Sequence, residues 1–289
     1  MSAIDPAVGR PALLGLAGAR VREFRPTVWL SALVLAFIAV AAVAPSLVTS
    51  QSPLTVHLDQ AFQAPSLQHL FGTDQSGRDV YTRVVYGARQ SVLIGIGATA
   101  LGLGVATVLG VAAGLGGKLA DATISRFVEV LFSFPGLLLA LLLVAIFGTG
   151  AGTQIVAVGI AAAPGYARMI RGQVIAVRGS GYVEASRALG HSPWRTTRRT
   201  IVPNAARPLV VLATLGVGQA IVWASALSFL GLGVAPPAPE WGAMLDAGRD
   251  YIQTAWWLTV CPGAVIVAFT LAATSLGRHL QQRLEGRHR

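Results

Sequence analysis

Long apolar runs separated by short polar and arginine-bearing stretches dominate the chain. Six can be drawn, near 27–47, 91–116, 127–148, 152–170, 208–233 and 256–277. Each is close to the about 20 residues that a helix needs to cross a hydrocarbon core. Unpaired backbone groups are costly in lipid, so these runs predict helices rather than open strands. The expected fold is all-α: a polytopic membrane protein with six transmembrane helices. Pro164 and Gly165 interrupt the fourth run, and Arg168 and Arg171 crowd its end. The runs divide the chain into a tail (1–26), a first span with its outer loop (27–90), a core of five spans (91–277) and a second tail (278–289). The core contains a long polar loop, 174–207.

Small residues recur every four positions in two spans. The second run carries Ala98, Gly102, Ala106, Gly110 and Gly114, and the fifth carries Gly216, Ala220, Ala224 and Ser228. One face of each helix is nearly bare, so another helix can approach closely. The partner is another helix of the same bundle, or else a second subunit or a moving helix.

Composition agrees with a membrane protein: 54% of residues are hydrophobic and 12% charged, against about 25% charged in a soluble domain. The formal net charge is +10. The basic residues lie between apolar spans and not on one basic domain with aromatic platforms, which argues against a nucleic-acid partner. Their placement sets an orientation instead. Eighteen of the 22 Lys and Arg residues fall in the N-terminal tail, 117–129, 168–207 and the C-terminal tail. Arg78, Arg83, Arg89 and Arg249 make up the other side. Both termini are therefore expected in the cytoplasm. Residues 1–26, with four arginines ahead of a long apolar run, read as a retained tail and not as a cleaved signal.

Several chemistries are excluded. No carboxylate or histidine sits in mid-span, with Glu129 only at the entrance of the third; proton-coupled transporters generally need such groups. Gly117 and Lys118 fail the phosphate-loop pattern, because Ala112 and Leu119 occupy the positions of its first glycine and its hydroxyl. The single cysteine, Cys261, forms no internal disulfide, and no Cys/His cluster has metal-ligand spacing. No nucleophile–base pair stands out, so the chain is not expected to be an enzyme. His57 and His69 fall in a polar loop and read as solvated.

The loop 174–207 carries the most specific pattern. Residues 182–189 form an amphipathic helix candidate, and Gly190 is placed to end it in a left-handed conformation. Ser192 and Pro193 suit the N-cap and first position of a second short helix. The two make an exposed elbow.

This elbow resembles the EAA motif of ABC importer permeases, through Glu184, Ala185, Gly190, Ile201 and Pro203, with Ser186 where alanine is usual. Two further stretches resemble hallmarks of the dipeptide/oligopeptide/nickel class. Gly72, Thr73, Asp74, Gly77, Arg78 and Asp79 match its outer-loop motif. Ser228, Phe229, Leu230, Gly231, Gly233, Pro236, Pro237, Trp241 and Gly242 match the motif at the end of the fifth span. The likeness runs from about residue 27 to 277 and is that of the second permease subunit, the DppC/OppC type.

The resemblance implies a type I ABC importer permease fold in a bacterial inner membrane. It also implies partners: a second homologous permease subunit, two ATPase subunits that bind ATP and Mg, an extracytoplasmic substrate-binding protein, and a peptide cargo. No cofactor is implied for this chain itself. The helix at Glu184–Gly190 would dock on an ATPase. Glu184 and Ala185 would set the contact, Gly190 the turn, and Pro203 the end of the elbow. Arg187, Arg195, Arg198 and Arg199 would face either acidic groups of the ATPase or lipid headgroups. Asp74, Arg78 and Asp79 would order the outer loop. Nickel, glutathione and haem permeases share these motifs, so they remain alternative cargo classes. A scaffold that transports nothing is the rival outside the class.

Overall fold

The computed structural model describes residues 26–285, so the expected tail lies, up to residue 25, outside the described residues. The first helix, α1 (Pro26–Val43), is followed by an irregular loop that ends at Asp79. Helix α2 (Val80–Leu115) is the longest at 36 residues. It begins well before the expected 91, because Asp79 accepts a hydrogen bond from the Thr82 amide (2.7 Å) and caps its first turn.

The expected third span is not one straight helix. The run splits into α3 (Lys118–Ser133) and α4 (Gly136–Phe147), bent by 88°. Proline disfavours a helical conformation in the residue before it, and Phe134 is extended, with φ −80° and ψ 135°. The apolar run 127–148 hid this break. Alone, α4 is about 18 Å long, too short for a span.

Helix α5 (Ala151–Arg178) passes straight through Pro164, where an interruption was expected. The elbow follows as α6 (Gly181–Ala188) and α7 (Pro193–Thr196). A wide π-turn over Thr197–Ile201 leads into α8 (Val202–Ala205) and α9 (Arg207–Leu227). A second π-turn, Ser228–Leu232, ends that helix, and α10 (Trp241–Arg249) and α11 (Trp257–Glu285) complete the described chain. Four helices are long and apolar enough to cross a membrane: α1, α2, Pro208–Leu232 and Trp257–Arg283. The bent α3–α4 pair makes a fifth if it counts as one span.

Three apolar clusters are threaded along α2. The first joins Val80, Val84 and Ala88 to Ile38 of α1, Trp241 of α10 and Phe269 of α11. The second joins Ile94 and Ala98 to Ala157 of α5 and Ala224 of α9. In the third, Ala106 packs with Ala167 and Val174 of α5, and this cluster also takes in Val183 and Ile201 of the elbow.

The small-residue stripe of α2 is thus spent within the chain, on α5. A Cβ added at Gly102 would lie 2.8 Å from the carbonyl oxygen of Gly159, and one at Gly110 2.8 Å from that of Ala167. Gly159 in turn faces the carbonyl of Ala98. Lipid tails are as apolar as leucine, so helix association in a membrane rests on such close packing and not on the hydrophobic effect. Gly102→Leu is expected to lower thermal stability in detergent by about 1–3 kcal/mol. Gly104→Leu, which meets nothing within 4 Å, is expected to change it by less than about 0.5 kcal/mol. Equal losses in both variants, read from thermal unfolding curves, would refute the packing account.

Candidate functional site

The outer-loop motif forms a tight hairpin at the start of α2. The Asp74 carbonyl accepts from the Gly77 amide (2.9 Å), and the Asp74 amide donates to the Arg78 carbonyl (2.9 Å). Gly77 takes φ +72° beside the carbonyl of His57, which a side chain would strike. The Asp74 carboxylate accepts from the amides of Ser76 (2.8 Å) and Arg78 (3.0 Å) and from Nε of Arg78 (2.7 Å). Thr73 is fully buried, and its carbonyl accepts from the indole Nε1 of Trp257 (3.1 Å), against which Gly72 packs. Asp74 and Arg78 are thus paired within the hairpin, and Asp79 caps the helix that follows it.

His69, read as solvated, is instead largely buried, and its Nδ1 lies 3.0 Å from Oδ1 of Asp79. Loop polarity gave no sign of this, because the contact needs the hairpin to fold back on the loop.

The second motif closes on the same part of α2. Within the π-turn the helical path breaks at Gly231, φ +77°, while Phe229 and Leu230 remain exposed. Gly233 sits against Ser228, and Gly242 against the backbone of Ser225. Trp241 is wholly buried, and its indole donates to the Val84 carbonyl (2.9 Å). Its backbone amide donates to Oγ of Ser91 (3.1 Å). Pro236 and Pro237 are joined by a cis peptide bond.

Three residues that sequence reasoning missed hold this assembly. Arg83 donates through Nη1 to the carbonyls of Pro53 (3.1 Å) and Pro237 (3.4 Å), and its Nε lies 3.6 Å from Oδ2 of Asp74. One guanidinium therefore ties both motifs together. Its signal was a cation one turn into an apolar helix. Glu240, 1% exposed, caps α10 by accepting from the amides of Gly242 (2.8 Å) and Ala243 (2.8 Å) and from Oγ of Ser91 (3.2 Å). The helix N-terminus offsets the cost of burying this carboxylate. Gln154 of α5, also fully buried, donates to Oγ of Ser228 (2.8 Å) and to the Ala224 carbonyl (3.2 Å), holding the π-turn against α5.

On the far side lies the elbow. Gly190 has φ +73°, as the turn between two short helices requires, and Ser192 accepts from the Arg195 amide (3.3 Å) as the cap of α7. Glu184, Ala185 and Arg187 are exposed, as are Tyr182, Leu189 and Trp194. Ser186, the third residue of the same motif, faces inward. Its hydroxyl pairs with Oγ1 of Thr196 (2.9 Å) and lies 3.2 Å from Nδ1 of His191, locking α6 to α7. Ile201 is buried in the third cluster. Pro203 does not end the elbow: the chain stays helical around it. Proline offers no amide proton, and the preceding π-turn, in which the Val202 amide donates to the Thr197 carbonyl, accommodates it.

Among the described residues no group of His, Cys, Asp and Glu side chains is arranged to hold a metal ion. The outer assembly is built to hold helices in place. Arg83→Met is expected to cost about 3–5 kcal/mol, because it leaves buried acceptors unpaired. It should also speed hydrogen exchange over 53–79 in the purified complex. Arg249→Ala, at an exposed ion pair with Asp246, should cost less than about 1 kcal/mol. Unchanged exchange in the Arg83 variant would show that the two motifs do not depend on it.

Comparison with known proteins agrees with this architecture. The model of the binding-protein-dependent transport system inner membrane component family matches residues 106–286. A dipeptide transport system permease protein DppC of Alkalihalophilus pseudofirmus is 40% identical, covering 88% of this chain and 83% of the relative. A glutathione transport system permease protein GsiD of Pectobacterium atrosepticum is 37% identical, covering 87% and 84%. In solved structures, the fold is similar to that of an amino acid ABC transporter (TM-score 0.57, 18% identity, 70% of this chain and 94% of that one). It is also similar to the inward-facing MetNI methionine ABC transporter (TM-score 0.56, 22% identity, 68% and 94%). With all-helical architecture, motif positions and sequence in agreement, the chain belongs to the binding-protein-dependent transport system inner membrane component family, the permeases of ABC importers.

Proposed function

We propose that this chain is one of two permease subunits in an ATP-driven importer of di- and oligopeptides in a bacterial inner membrane. A second homologous permease subunit completes the path. Two ATPase subunits bind ATP and Mg below it, and an extracytoplasmic substrate-binding protein delivers peptide above. The chain itself needs no cofactor. It spans the membrane six times, with α5 as the span between the bent pair and the elbow, and both termini are cytoplasmic, as the arginine distribution requires.

The observation that carries this reading is the elbow. Tyr182, Leu189 and Trp194 are exposed on the elbow, as are Glu184, Ala185 and Arg187. Buried Val183 and Ile201 fix it to α5 and α8. A docked ATPase would therefore push directly on α5 and α9. Peptide cargo is supported by the dipeptide permease relative, whereas the GsiD relative favours glutathione, itself a modified tripeptide, as the second reading.

The test is a complex assembled with the two ATPases, the second permease and the binding protein. Dipeptide should stimulate its ATPase activity and accumulate in proteoliposomes. Glu184→Lys, and Gly190→Pro, which cannot adopt φ +73°, should each cut uptake at least about tenfold while the bundle stays folded. Wild-type uptake in both would refute the elbow as the coupling element, and a response to glutathione alone would change the cargo.

A further inference from the structure

A cleft of about 340 Å³ opens between α2, α3 and α5, within the about 300–1,000 Å³ usual for small-ligand sites. Its floor is apolar, from Leu109, Val128 and Ala167, and its rim carries Glu129, Arg168 and Arg171. The three charges are not equivalent. Arg171 is saturated: its Nη2 donates to Oδ2 of Asp121 (2.7 Å) and its Nε to Oδ1. That bidentate pair ties α5 to α3 and fixes the width of the cleft. Arg168 has no carboxylate partner among the described residues. Its guanidinium lies over the ring of Phe132, 4.1 Å from the centroid, which holds the group flat and leaves its N–H edge available. Glu129 lies one turn before Phe132 on α3; its one ion pair among the described residues is with the exposed Arg126 (3.4 Å), a contact that exchanges readily with solvent, and it also faces the charge of Arg171.

We propose that this cleft holds a short peptide by its two charged ends, the C-terminal carboxylate on Arg168 and the N-terminal ammonium on Glu129. The proposal rests on the peptide-importer reading. Arg168 is about 26 Å along α5 from Ala151. In the orientation given above, that places the cleft at the cytoplasmic end of the membrane core, where cargo leaves. A site that reads peptide ends and offers only an apolar floor to the side chains discriminates by length and not by sequence. The cation and the anion both matter: an anionic headgroup alone would use Arg168 and be repelled by Glu129.

The probe is alanyl-photoleucine, a small photoreactive dipeptide, applied to the assembled complex in nanodiscs without binding protein. Labelled residues are mapped by mass spectrometry. Labelling is expected on α3 and α5 around Val128 and Ala167. Free dialanine should compete for it, and dialanine amide should compete about tenfold more weakly, having lost one charge-assisted contact. Arg168→Gln should reduce labelling by a similar factor, and Arg168→Lys should restore part of it, with complex assembly unchanged. Equal competition by the amide overturns end recognition. Labelling displaced by short-chain phosphatidylglycerol but not by dialanine makes the cleft a lipid site and overturns the proposal. Dipeptide uptake is measured in parallel. A complex that transports but is not labelled keeps the importer reading and loses this site, whereas one that does neither loses both.

Discussion

The contact between α2 and α5 carries the rest of the structure. Along it, Gly102 meets the backbone of Gly159, and Gly110 that of Ala167. No hydrophobic driving force separates one apolar face from another in lipid, so surface fit decides which helices stay together. Once α2 and α5 are fixed, their other contacts follow. The N-terminal end of α2 holds α1, α10 and α11 through the first cluster, and the C-terminal end of α5 holds the elbow through the third.

Polar groups pin the two ends in different ways. At the N-terminal end of α2 the charges are buried and engaged. Arg83 reaches Asp74, Pro53 and Pro237, and Glu240 caps α10 while meeting Ser91. Such groups favour one arrangement strongly, because moving any partner strands another. At the elbow the arginines are exposed and free to meet a partner. One end is thus shaped for fixed geometry and the other for contact.

Much of this was legible in the sequence. Hydrophobic runs located the helices, because in lipid the hydropathy of side chains and the pairing needs of the backbone point the same way. Gly190 and Ser192 marked the elbow, since a left-handed turn and a helix cap each demand particular residue types. What stayed hidden was set by backbone geometry or by distance along the chain. The apolar run 127–148 reads as one span because Phe134 and Pro135 are as apolar as their neighbours, although proline forces the chain to turn there. Arg83 looked like a stray outer charge because its partners, from Pro53 to Pro237, lie far apart in sequence. Ser186 seemed to belong to the exposed motif, and only the packing of α6 on α7 turns it inward. Pro203 ends a helix only if nothing accommodates its missing donor, and a π-turn does.

The irregular turns are not scattered evenly. Helix α2 runs 36 residues without a proline or a π-turn. The bend before α4 and the π-turn before α8 fall on segments that pack against α5, and the π-turn after α9 is hydrogen-bonded to α5 through Gln154. Gln154 bonds across to one of them at Ser228, yet its own Oε1 has no partner. A buried amide left half satisfied costs free energy where it stands. Deformable segments beside an unbroken helix are what an element needs if it is to adopt two arrangements while the bundle stays whole.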